Sequence, residues 1–339
     1  MLRLQCLMHR LLPERRKINE RFQNSLCLCC GKPLRTPDET GWHKACIKRF
    51  FGTTKLPEIE IDDKTLNLLA TETTNKGFTV PGVQKKLSLH LVSDSRKPRL
   101  TLVNYPTGYI LKPQVAEFEA LPESEQLIMT MADMAGISTV PHALIKGNAG
   151  LAYITKRVDR NLTDGKIEML AMEDFCQLDL RLTEDKYRGS YERCAKIIKQ
   201  YSSRVGIDMA EFYIRLVFCF IVGNSDMHLK NFSLIETAEG SGEYVLSPAY
   251  DLLPVNANMP ADKEQFALAM NGKKMNIRKG DFLKFADTCG ITRQTAEKLI
   301  ENLVKLTPKW LAMCENSLLP DELKDRLKKI IIERTEVLQ

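Results

Sequence analysis

The sequence predicts an α+β protein with two packed lobes, the first built on a small mixed β-sheet and the second helical. The chain has 339 residues, 44% of them hydrophobic and 27% charged, which is an ordinary globular composition with enough length for two lobes. Segments of alternating apolar and polar residues cluster before residue 160, whereas apolar residues recur at helical spacing after residue 172. We therefore expect the sheet lobe over residues 56–160 and the helical lobe over residues 161–339.

Each expected element follows from these patterns and from nearby glycines and prolines. A helix from Pro122 to Ala135, ended by Gly136, interrupts the strands of the first lobe. The expected strands are Leu87–Val92, Arg99–Val103, Tyr109–Lys112, Val140–Lys146 and Leu151–Lys156. Before them lie a linker and a short helix, Asp62–Ala70. The expected helices of the second lobe are Met172–Gln177, Tyr191–Tyr201, Met209–Val222, Arg293–Leu306 and Asp321–Glu336.

Composition argues against a membrane or secreted protein. The longest apolar run, Phe212–Val222, contains Arg215 and has about half of the roughly 20 residues that span a bilayer, so we expect a buried helix. Six of the ten cysteines are scattered without paired spacing, which fits a reducing cytoplasm. These are Cys6, Cys176, Cys194, Cys219, Cys289 and Cys314. We expect a cytoplasmic protein without a membrane partner.

The positive charge is concentrated at the beginning of the chain. Residues 1–55 contain 12 Lys and Arg against 4 Asp and Glu, so they carry +8 and the remainder −2 of the net charge of +6. Residues 1–25 have neither the apolar core nor the cleavage site of a signal peptide, and we expect a basic, flexible extension, with Met8 as an alternative start. The basic stretch could touch nucleic acid, although a solvated surface is the simpler explanation.

Residues 26–55 contain four potential metal ligands with the spacing C-x2-C-x12-H-x2-C. These are Cys27, Cys30, His43 and Cys46. Three thiolates and one imidazole make a closed tetrahedral Zn²⁺ site, and Gly31 suits the tight turn of such a knuckle. Chance clustering, with Cys29 as a spare thiol, is the alternative. We expect a structural zinc element, because four protein ligands leave no open position for chemistry.

The segment from Ile221 to Asp251 has the arrangement that phosphoryl transfer from ATP requires. Asp226 and Asn231 are five residues apart after an apolar run, and Asp251 follows a Gly/Ser-rich turn. One carboxylate must receive the acceptor's proton, and an amide oxygen and a second carboxylate must hold Mg²⁺. Protein kinases use this order and spacing, which predicts Asp226 as catalytic base and Asn231 and Asp251 as Mg²⁺ ligands. His228 is expected to orient the substrate or touch a phosphate.

The spacing alone leaves open a structural explanation, since Asp, Asn and His are common in polar turns. More than the spacing matches, however. The string GNSDMHLKNFSL, followed by LSPAYDLL, resembles the signature of the HipA family of bacterial toxin-like serine/threonine kinases. The resemblance covers residues 77–335. It implies a two-lobed fold distantly akin to protein and lipid kinases, with ATP and Mg²⁺ as ligands.

The glycine- and lysine-containing stretch Lys76–Lys86 could cover the phosphates of ATP, although on its own it would be an ordinary basic turn. It is similar to the phosphate loop of the HipA family. The G-x-Q-x-K core of that loop corresponds here to Gly82, Val83, Gln84, Lys85 and Lys86. In that family a Ser three residues before the glycine is autophosphorylated, which displaces the loop and inactivates the enzyme. This chain has Thr79 there, a departure that keeps a hydroxyl and implies Thr79 as the autophosphorylation site.

A lysine and a glutamate in the sheet lobe are expected to complete the ATP site. Lys112 ends a predicted strand just before Pro113, where its side chain can reach the nucleotide phosphates. Glu125 lies in the first turn of the next helix, where kinases place the carboxylate that pairs with this lysine. The helix dipole alone would also favour an acid there. The order of strand lysine and helix glutamate favours the functional interpretation.

The phrase from Lys156 to Arg160 resembles the hinge of HipA-like kinases, which has an R-x-D-R pattern. The resemblance implies that the backbone of Lys156 and Val158 holds the adenine and that Asp159 accepts a hydrogen bond from the ribose. The family often has acidic or aromatic residues at the positions that Lys156 and Val158 occupy here. Because backbone contacts tolerate a change of side chain, this departure affects only the side-chain part of the inference.

The resemblance also implies a biological setting. Fewer residues precede the phosphate loop here than in full-length HipA, which has an additional N-terminal subdomain. In this respect the chain resembles the HipT-type short forms. For those forms, a separate small protein can supply the missing subdomain. Implied partners are a HipB-like helix-turn-helix antitoxin, DNA bound only through that antitoxin, and a protein substrate such as an aminoacyl-tRNA synthetase. Phosphorylation of such a substrate stops translation and growth.

We therefore predict an ATP-dependent protein serine/threonine kinase of the HipA toxin type. Two alternatives stay open at this point. One is a lipid or small-molecule kinase of related fold, because phosphoinositide kinases carry a similar loop. The other is a non-catalytic module in which the Cys/His element and the basic stretch bind nucleic acid.

Overall fold

A six-stranded sheet followed by a group of helices makes up most of the described chain. The computed structural model describes residues 26–36, 39, 41–60, 87–92, 98–101, 108–147, 150–163 and 166–339. Its strands are β1 (Glu58–Glu60), β2 (Leu87–Val92), β3 (Arg99–Thr101), β4 (Tyr109–Pro113), β5 (His142–Gly147), β6 (Gly150–Lys156), β7 (Arg160–Thr163), β8 (Lys166–Met169), β9 (Met172–Asp174), β10 (Ser233–Glu236) and β11 (Tyr244–Leu246).

The helices lie mainly in the second lobe, as the apolar periodicity predicts. They are α1 (Lys44–Phe51), α2 (Leu121–Met134), α3 (Phe175–Leu178), α4 (Tyr191–Tyr201), α5 (Val205–Val222), α6 (Val255–Asn258), α7 (Lys279–Thr288), α8 (Arg293–Val304), α9 (Thr307–Glu315) and α10 (Asp321–Leu338). Two 3₁₀ turns, Thr183–Asp185 and Leu229–Asn231, lie beside the candidate site.

The main sheet has the strand order β1-β3-β2-β4-β6-β5. Its neighbouring strands are antiparallel except for β1 and β3, which are parallel. In the register of β4 and β6, Lys112 lies opposite Tyr153. Opposed residues of an antiparallel pair project from the same face, so the register places the lysine beside an aromatic ring.

Helix α2 packs against β5 and β6 with a fully buried face that includes Ile128, Met131 and Ala132. Pro122 lies at the start of the helix, where its missing N–H removes no helical hydrogen bond. The chain leaves the helix through Gly136, whose φ of 79° is left-handed. The buried face of α2 therefore anchors this helix to β5 and β6.

The N-terminal Cys/His element packs on the sheet lobe as part of the same hydrophobic core. The indole Nε1 of Trp42 donates to the carbonyl of Leu144 in β5 at 3.1 Å, and the N–H of Leu144 donates to the carbonyl of Leu28 at 2.8 Å. The Trp42 ring packs against Phe50 and Phe51 of α1. The element thus extends the core of the first lobe.

Helix α5 is the central element of the second lobe. Its last five residues, Phe218–Val222, are fully buried. Phe212 packs edge-on against Phe232, which lies just before β10. The prediction that the apolar run over Phe212–Val222 forms a buried helix is confirmed. Across the described ranges, no helix is both long and apolar enough to cross a membrane.

One predicted helix is partly wrong. The segment Met172–Gln177 is expected to be helical, but its first half is strand β9, which pairs antiparallel with β10. Asp174 then caps the short helix α3 by accepting from the backbone N–H of Gln177. A strand of three residues has no readable periodicity, and its partner is distant in the chain. The short hairpin of β7 and β8 has no counterpart among the predicted elements.

The two lobes are joined by backbone hydrogen bonds as well as by the chain itself. The N–H of Ala249 donates to the carbonyl of Ser138 at 2.7 Å, and the N–H of Val140 donates to the carbonyl of Ala249 at 3.0 Å. These bonds connect the segment after α2 with the segment that leads to Asp251. They hold the beginning of β5 beside the second lobe.

Glu123, in the first turn of α2, is a half-buried acid whose surroundings disfavour its charged form. Burial raises its pKa to about 7, and the nearby Glu119 adds to the rise. Its Oε2 atom has no hydrogen-bond partner among the residues that the structure describes. A glutamate in an unfolded chain ionises near pH ~4.3, so the folded state keeps this proton over a pH range in which the unfolded state has lost it.

We predict that Glu123→Gln has a higher free energy of unfolding than the wild type, by an amount that grows as the pH rises from 4 to 8. The proton on Glu123 contributes stability that is complete below the unfolded pKa and is lost as the pH rises through about 7. The difference should be close to zero at pH 4, below the unfolded pKa, and reach about 1–3 kcal/mol at pH 8, measured by urea unfolding. Glu322→Gln, at an exposed first-turn position of α10, is the control. An equal difference at both pH values would contradict the assignment.

Candidate active site

A cleft of about 660 Å³ between the sheet and the helical lobe contains eight of the residues predicted for the ATP site. Those that line it are Lys112, Lys156, Val158, Asp159, Asp226, His228, Asn231 and Asp251. Glu125 lies behind the lining and contacts Lys112. The predicted loop residues Gly82, Val83, Gln84, Lys85 and Lys86, together with Thr79, lie outside the described residues.

Lys112 is held between two acids that come from different lobes. Its Nζ lies 2.5 Å from Oε1 of Glu125 in α2 and also forms a hydrogen bond with Oδ1 of Asp251. Burial works against the ammonium charge, but Asp251 and Glu125 outweigh it and raise the pKa of Lys112. The Nζ also lies 5.2 Å from the centroid of the Tyr153 ring. The lysine therefore stays charged inside the cleft.

Asp251 has an unusual backbone conformation for a residue that is not glycine. Its φ is 57°, in the left-handed region, where a side chain with a Cβ is disfavoured. The backbone bonds of Ala249 to the first lobe fix the approach to this residue. Non-glycine residues persist in this region only when their surroundings hold them there, and such positions are frequent at functional sites.

The loop with Asp226 begins where α5 ends at Gly223. This glycine has a φ of 72°, and a Cβ on it would come within 3.0 Å of Ile330 in α10, so both conformation and space favour glycine. Asn224 then accepts a hydrogen bond from the N–H of Asp226 through its Oδ1 at 3.2 Å. Asn231 closes the loop, because its Nδ2 donates to the carbonyl of Asp226 at 2.8 Å.

The carboxylate of Asp226 is held by a tyrosine that no sequence motif indicates. The hydroxyl of Tyr187 donates to its Oδ1 at 2.7 Å. Burial raises the pKa of Asp226 to about 6, against the lowering effects of Tyr187 and of the charge on Lys186. A carboxylate with a pKa in this range is mostly ionised at neutral pH yet accepts a proton more readily than an exposed aspartate.

His228 is buried beside this pair, with its ring edge-on to Tyr187 at 5.0 Å. Its carbonyl accepts from the N–H of Asn231 at 2.9 Å, which shapes the turn between the two functional residues. Packing and backbone contacts thus account for the position of His228. Its predicted contact with substrate or phosphate stays a prediction.

Asn231 and Asp251 offer oxygen ligands suited to Mg²⁺. Because the amide nitrogen of Asn231 is engaged by the carbonyl of Asp226, its Oδ1 is the atom available to a cation. Asp251 adds a carboxylate that lines the same cleft. Mg²⁺ usually binds one or two such side chains together with substrate phosphates and water. The donor set therefore fits the ion, and the assignment of these ligands stays a prediction.

The residues predicted to form the hinge, Lys156, Val158 and Asp159, line the same cleft. Arg157 donates to both carboxylate oxygens of Asp159, at 2.9 and 2.7 Å, and Arg160 adds a bond of 2.7 Å. Burial would raise the pKa of Asp159, but these guanidinium groups outweigh it and lower the pKa. Asp159 therefore remains ionised, and a ribose hydroxyl would share oxygens that already accept from arginine.

The four Cys/His ligands predicted from spacing meet in one cluster. The ligand atoms of Cys27, Cys30, His43 and Cys46 all lie within 4.8 Å of one another. The ring atom Nε2 of His43 lies 2.9 Å from the carbonyl of Pro33, so it carries the proton and leaves Nδ1 facing the thiols. A histidine with its second nitrogen on a carbonyl is the usual arrangement in zinc sites. The donor set fits a structural Zn²⁺.

Cys29 is not one of the four clustered ligands, although its thiol lies next to that of Cys46 and both face Arg49. Its thiol faces the guanidinium of Arg49 at 4.0 Å, and its carbonyl accepts from Nε2 of Gln126 in α2 at 3.3 Å. Gln126 directly follows Glu125, and its Oε1 lies 2.8 Å from Nδ1 of His142 in β5. The turn of the knuckle therefore contacts the helix that carries Glu125.

Two further features of the site come from outside the predicted set. Lys186 and Tyr187 lie between α3 and α4, where no periodicity or motif points to the cleft. Lys230 and Asp174 also line the cleft and form an ion pair at 2.6 Å. Lys230 belongs to the loop that carries Asp226, whereas only the fold brings Asp174, Lys186 and Tyr187 to this part of the protein, so the sequence contains no local signal for those three.

The sequence matches one family profile over most of its length. The profile described as the HipA-like C-terminal domain matches residues 78–311. Among curated proteins, "Putative kinase Y4mE" of Sinorhizobium fredii is 28% identical over 243 residues, which are 69% of this chain and 56% of the relative. The chain thus spans little more than half the length of this relative.

Two solved structures have a similar fold. HipA of Shewanella oneidensis MR-1, solved with HipB and its operator DNA, superposes with a TM-score of 0.61 and 22% identity, covering 76% of this chain and 64% of that chain. The Helicobacter pylori proinflammatory kinase CtkA superposes with a TM-score of 0.50 and 17% identity, covering 78% of this chain and 92% of that chain. At these identities the likeness concerns the fold.

We predict that Cys30→Ser releases bound zinc and lowers the melting temperature by several degrees, because the knuckle supports the core of the first lobe through Leu28 and Trp42. Metal content by elemental analysis and thermal unfolding measure the two effects on the same samples. Cys29→Ser is the matched control, since this neighbouring thiol lies outside the ligand set. Equal metal loss in both variants, or full metal in Cys30→Ser, would contradict the assignment.

Proposed function

Because the chain belongs to the family of HipA-like C-terminal domains, we propose that it is an ATP-dependent protein serine/threonine kinase of the HipA toxin type. The observation that carries the proposal is the joining of Glu125, Lys112 and Asp251 beside the cleft that Asp226 and Asn231 also line. These are the groups that phosphoryl transfer requires. The kinase-like fold implies the use of ATP and Mg²⁺.

In this proposal, Asp226 orients the acceptor hydroxyl and receives its proton. Tyr187 holds Oδ1 of the carboxylate, so Oδ2 is the atom that accepts from the substrate. The raised pKa of Asp226, about 6, suits a carboxylate that must accept the proton of the acceptor hydroxyl as the new bond forms. The edge-on packing of the buried His228 ring against Tyr187 limits rotation of the tyrosine that holds the Asp226 carboxylate.

Lys112 binds the phosphates of ATP, and Glu125 fixes its direction. Asn231 and Asp251 would hold Mg²⁺, which when bound neutralises charge on the phosphates and orients them. The backbone of Lys156 and Val158 would hold the adenine at the edge of the cleft. Residues Gly82–Lys86 would cover the phosphates, with Thr79 as the self-modified residue; both belong to the proposal through the resemblance alone.

The cellular part of the proposal rests on the family. We propose a bacterial protein as substrate, with aminoacyl-tRNA synthetases as the first candidates, and arrest of translation as the result. The HipA structure with HipB and operator DNA suggests a helix-turn-helix antitoxin as partner, with DNA contacted through it. A separate small protein that supplies an N-terminal subdomain is part of the same proposal.

The test compares the wild type with Asp226→Asn in the presence of Mg²⁺ and γ-labelled ATP. Each is incubated with purified aminoacyl-tRNA synthetases, with a bacterial protein extract, or with lipid vesicles, and labelled residues are mapped by mass spectrometry. We expect label on serine or threonine of a protein, and a loss of about 10³-fold in Asp226→Asn with an unchanged melting temperature.

Other outcomes decide between the alternatives. Label confined to lipid would favour a lipid kinase. An absence of label with every acceptor, or equal labelling by Asp226→Asn, would remove the proposed role of the cleft. Label on Thr79 that disappears in Asp226→Asn would support self-phosphorylation, whereas label elsewhere on the chain would contradict that residue.

We predict that Tyr187→Phe lowers the rate of phosphoryl transfer by about tenfold, because the carboxylate of Asp226 loses the hydrogen bond that orients it. Nucleotide affinity, measured by calorimetry, should stay within about twofold, because Tyr187 is not among the residues that line the cleft. Tyr201→Phe, at an exposed position of α4, is the control. A fall in nucleotide affinity equal to the fall in rate would instead indicate a general loss of structure.

A further inference from the structure

The transferring phosphoryl group needs positive charge near Asp226, because negative charge is spread over its oxygens in the transition state. Two of the lysines that line the cleft are paired with acids in other parts of it. Lys112 is held by Glu125 and Asp251, and Lys230 is held by Asp174 at 2.6 Å. The motif around Asp226 thus contains a lysine, but its ammonium is turned toward β9.

Lys186 approaches Asp226 from a separate segment, between α3 and α4. It follows the 3₁₀ turn Thr183–Asp185 and lines the cleft together with Asp226 and His228. Its carbonyl accepts from the N–H of Leu229 at 3.1 Å, which fixes its backbone to the loop that carries Asp226. The position is therefore tied to the catalytic loop by the main chain.

The side chain of Lys186 is also directed by its neighbour. Its Nζ lies 4.9 Å from the centroid of the Tyr187 ring, and the hydroxyl of the same ring donates to Asp226. The ring thus links the ammonium and the carboxylate in one arrangement. The charge of Lys186 lowers the pKa of Asp226, which places the ammonium within electrostatic reach of the carboxylate.

We propose that Lys186 is a further catalytic residue, whose ammonium faces the phosphoryl group as it passes to the acceptor hydroxyl. This inference rests on the proposed kinase function. In the step, the bond from the γ-phosphorus to the bridging oxygen of ATP breaks, the bond from the acceptor oxygen to phosphorus forms, and the acceptor proton goes to Asp226. Lys186 keeps its protons and stabilises the negative charge on the transferring group.

A purely structural role for Lys186 makes a different prediction. A lysine that only packs on Tyr187 or shields Asp226 would affect folding or the bound nucleotide in general. A lysine that faces the transferring group acts selectively on the transition state, since only interactions that strengthen there accelerate the reaction. Binding of a transition-state mimic separates the two roles without any knowledge of the protein substrate.

The experiment measures the dissociation constants of Mg²⁺-ADP alone and of Mg²⁺-ADP with aluminium fluoride, which mimics the transferring phosphoryl group. For Lys186→Gln we expect the first to stay within about twofold and the second to weaken by about 10²-fold. Lys186→Arg should recover part of the loss, because the charge returns. Lys298→Gln, whose lysine pairs with Glu301 in α8, is the control and should match the wild type.

The outcomes separate this inference from the proposed function. If aluminium fluoride tightens ADP binding equally in the wild type and Lys186→Gln, the role of Lys186 is wrong while the kinase function stands. The role of Lys186 is also wrong if both dissociation constants weaken together. If the wild type neither responds to aluminium fluoride nor releases ADP from ATP, the proposed function fails and the inference fails with it.

Discussion

The buried interaction of Lys112 with Glu125 and Asp251 is the constraint on which the site depends. It joins β4, α2 and the segment that leads from β11, so one cation sets the relative positions of three elements. Removing one partner of a buried ion pair typically costs about 3–5 kcal/mol, because the remaining charge is left uncompensated. If Lys112 binds nucleotide phosphates as proposed, its side chain would need little reordering on binding, because Glu125 and Asp251 already hold it in place.

The Cys/His element is best understood as part of the first lobe. Its tryptophan and backbone bond to β5, and its turn contacts Gln126 beside Glu125. Residues that support a core in this way are drawn into the packing of the lobe, which argues against an independent nucleic-acid module as their main role. A metal at this cluster would therefore stabilise the surface on which α2 rests.

Much of this arrangement could be predicted from the sequence, since spacing and strand order reflect local geometry. The two-lobed HipA-like fold is confirmed by the solved structures of similar fold, and the ligand spacing correctly predicts the Cys/His cluster. Lys112 and Asp226 occupy one cleft as expected, although their roles remain predictions. Tyr187 could not be predicted, because it meets Asp226 from 39 residues away. The strand that begins at Met172 could not be predicted for the same reason, because it pairs with β10, which is distant in the sequence.

The backbone bonds that join Ser138 and Val140 to Ala249 have a kinematic consequence. Because these two bonds hold the lobes together at one point, any rotation of one lobe relative to the other that preserves them must be centred near Ala249. In any rotation, atoms close to the axis move least. Asp251 is two residues from Ala249, so it would be displaced less than the more distant parts of the cleft. Such a rotation would therefore leave the hydrogen bond between Asp251 and Lys112 largely undisturbed.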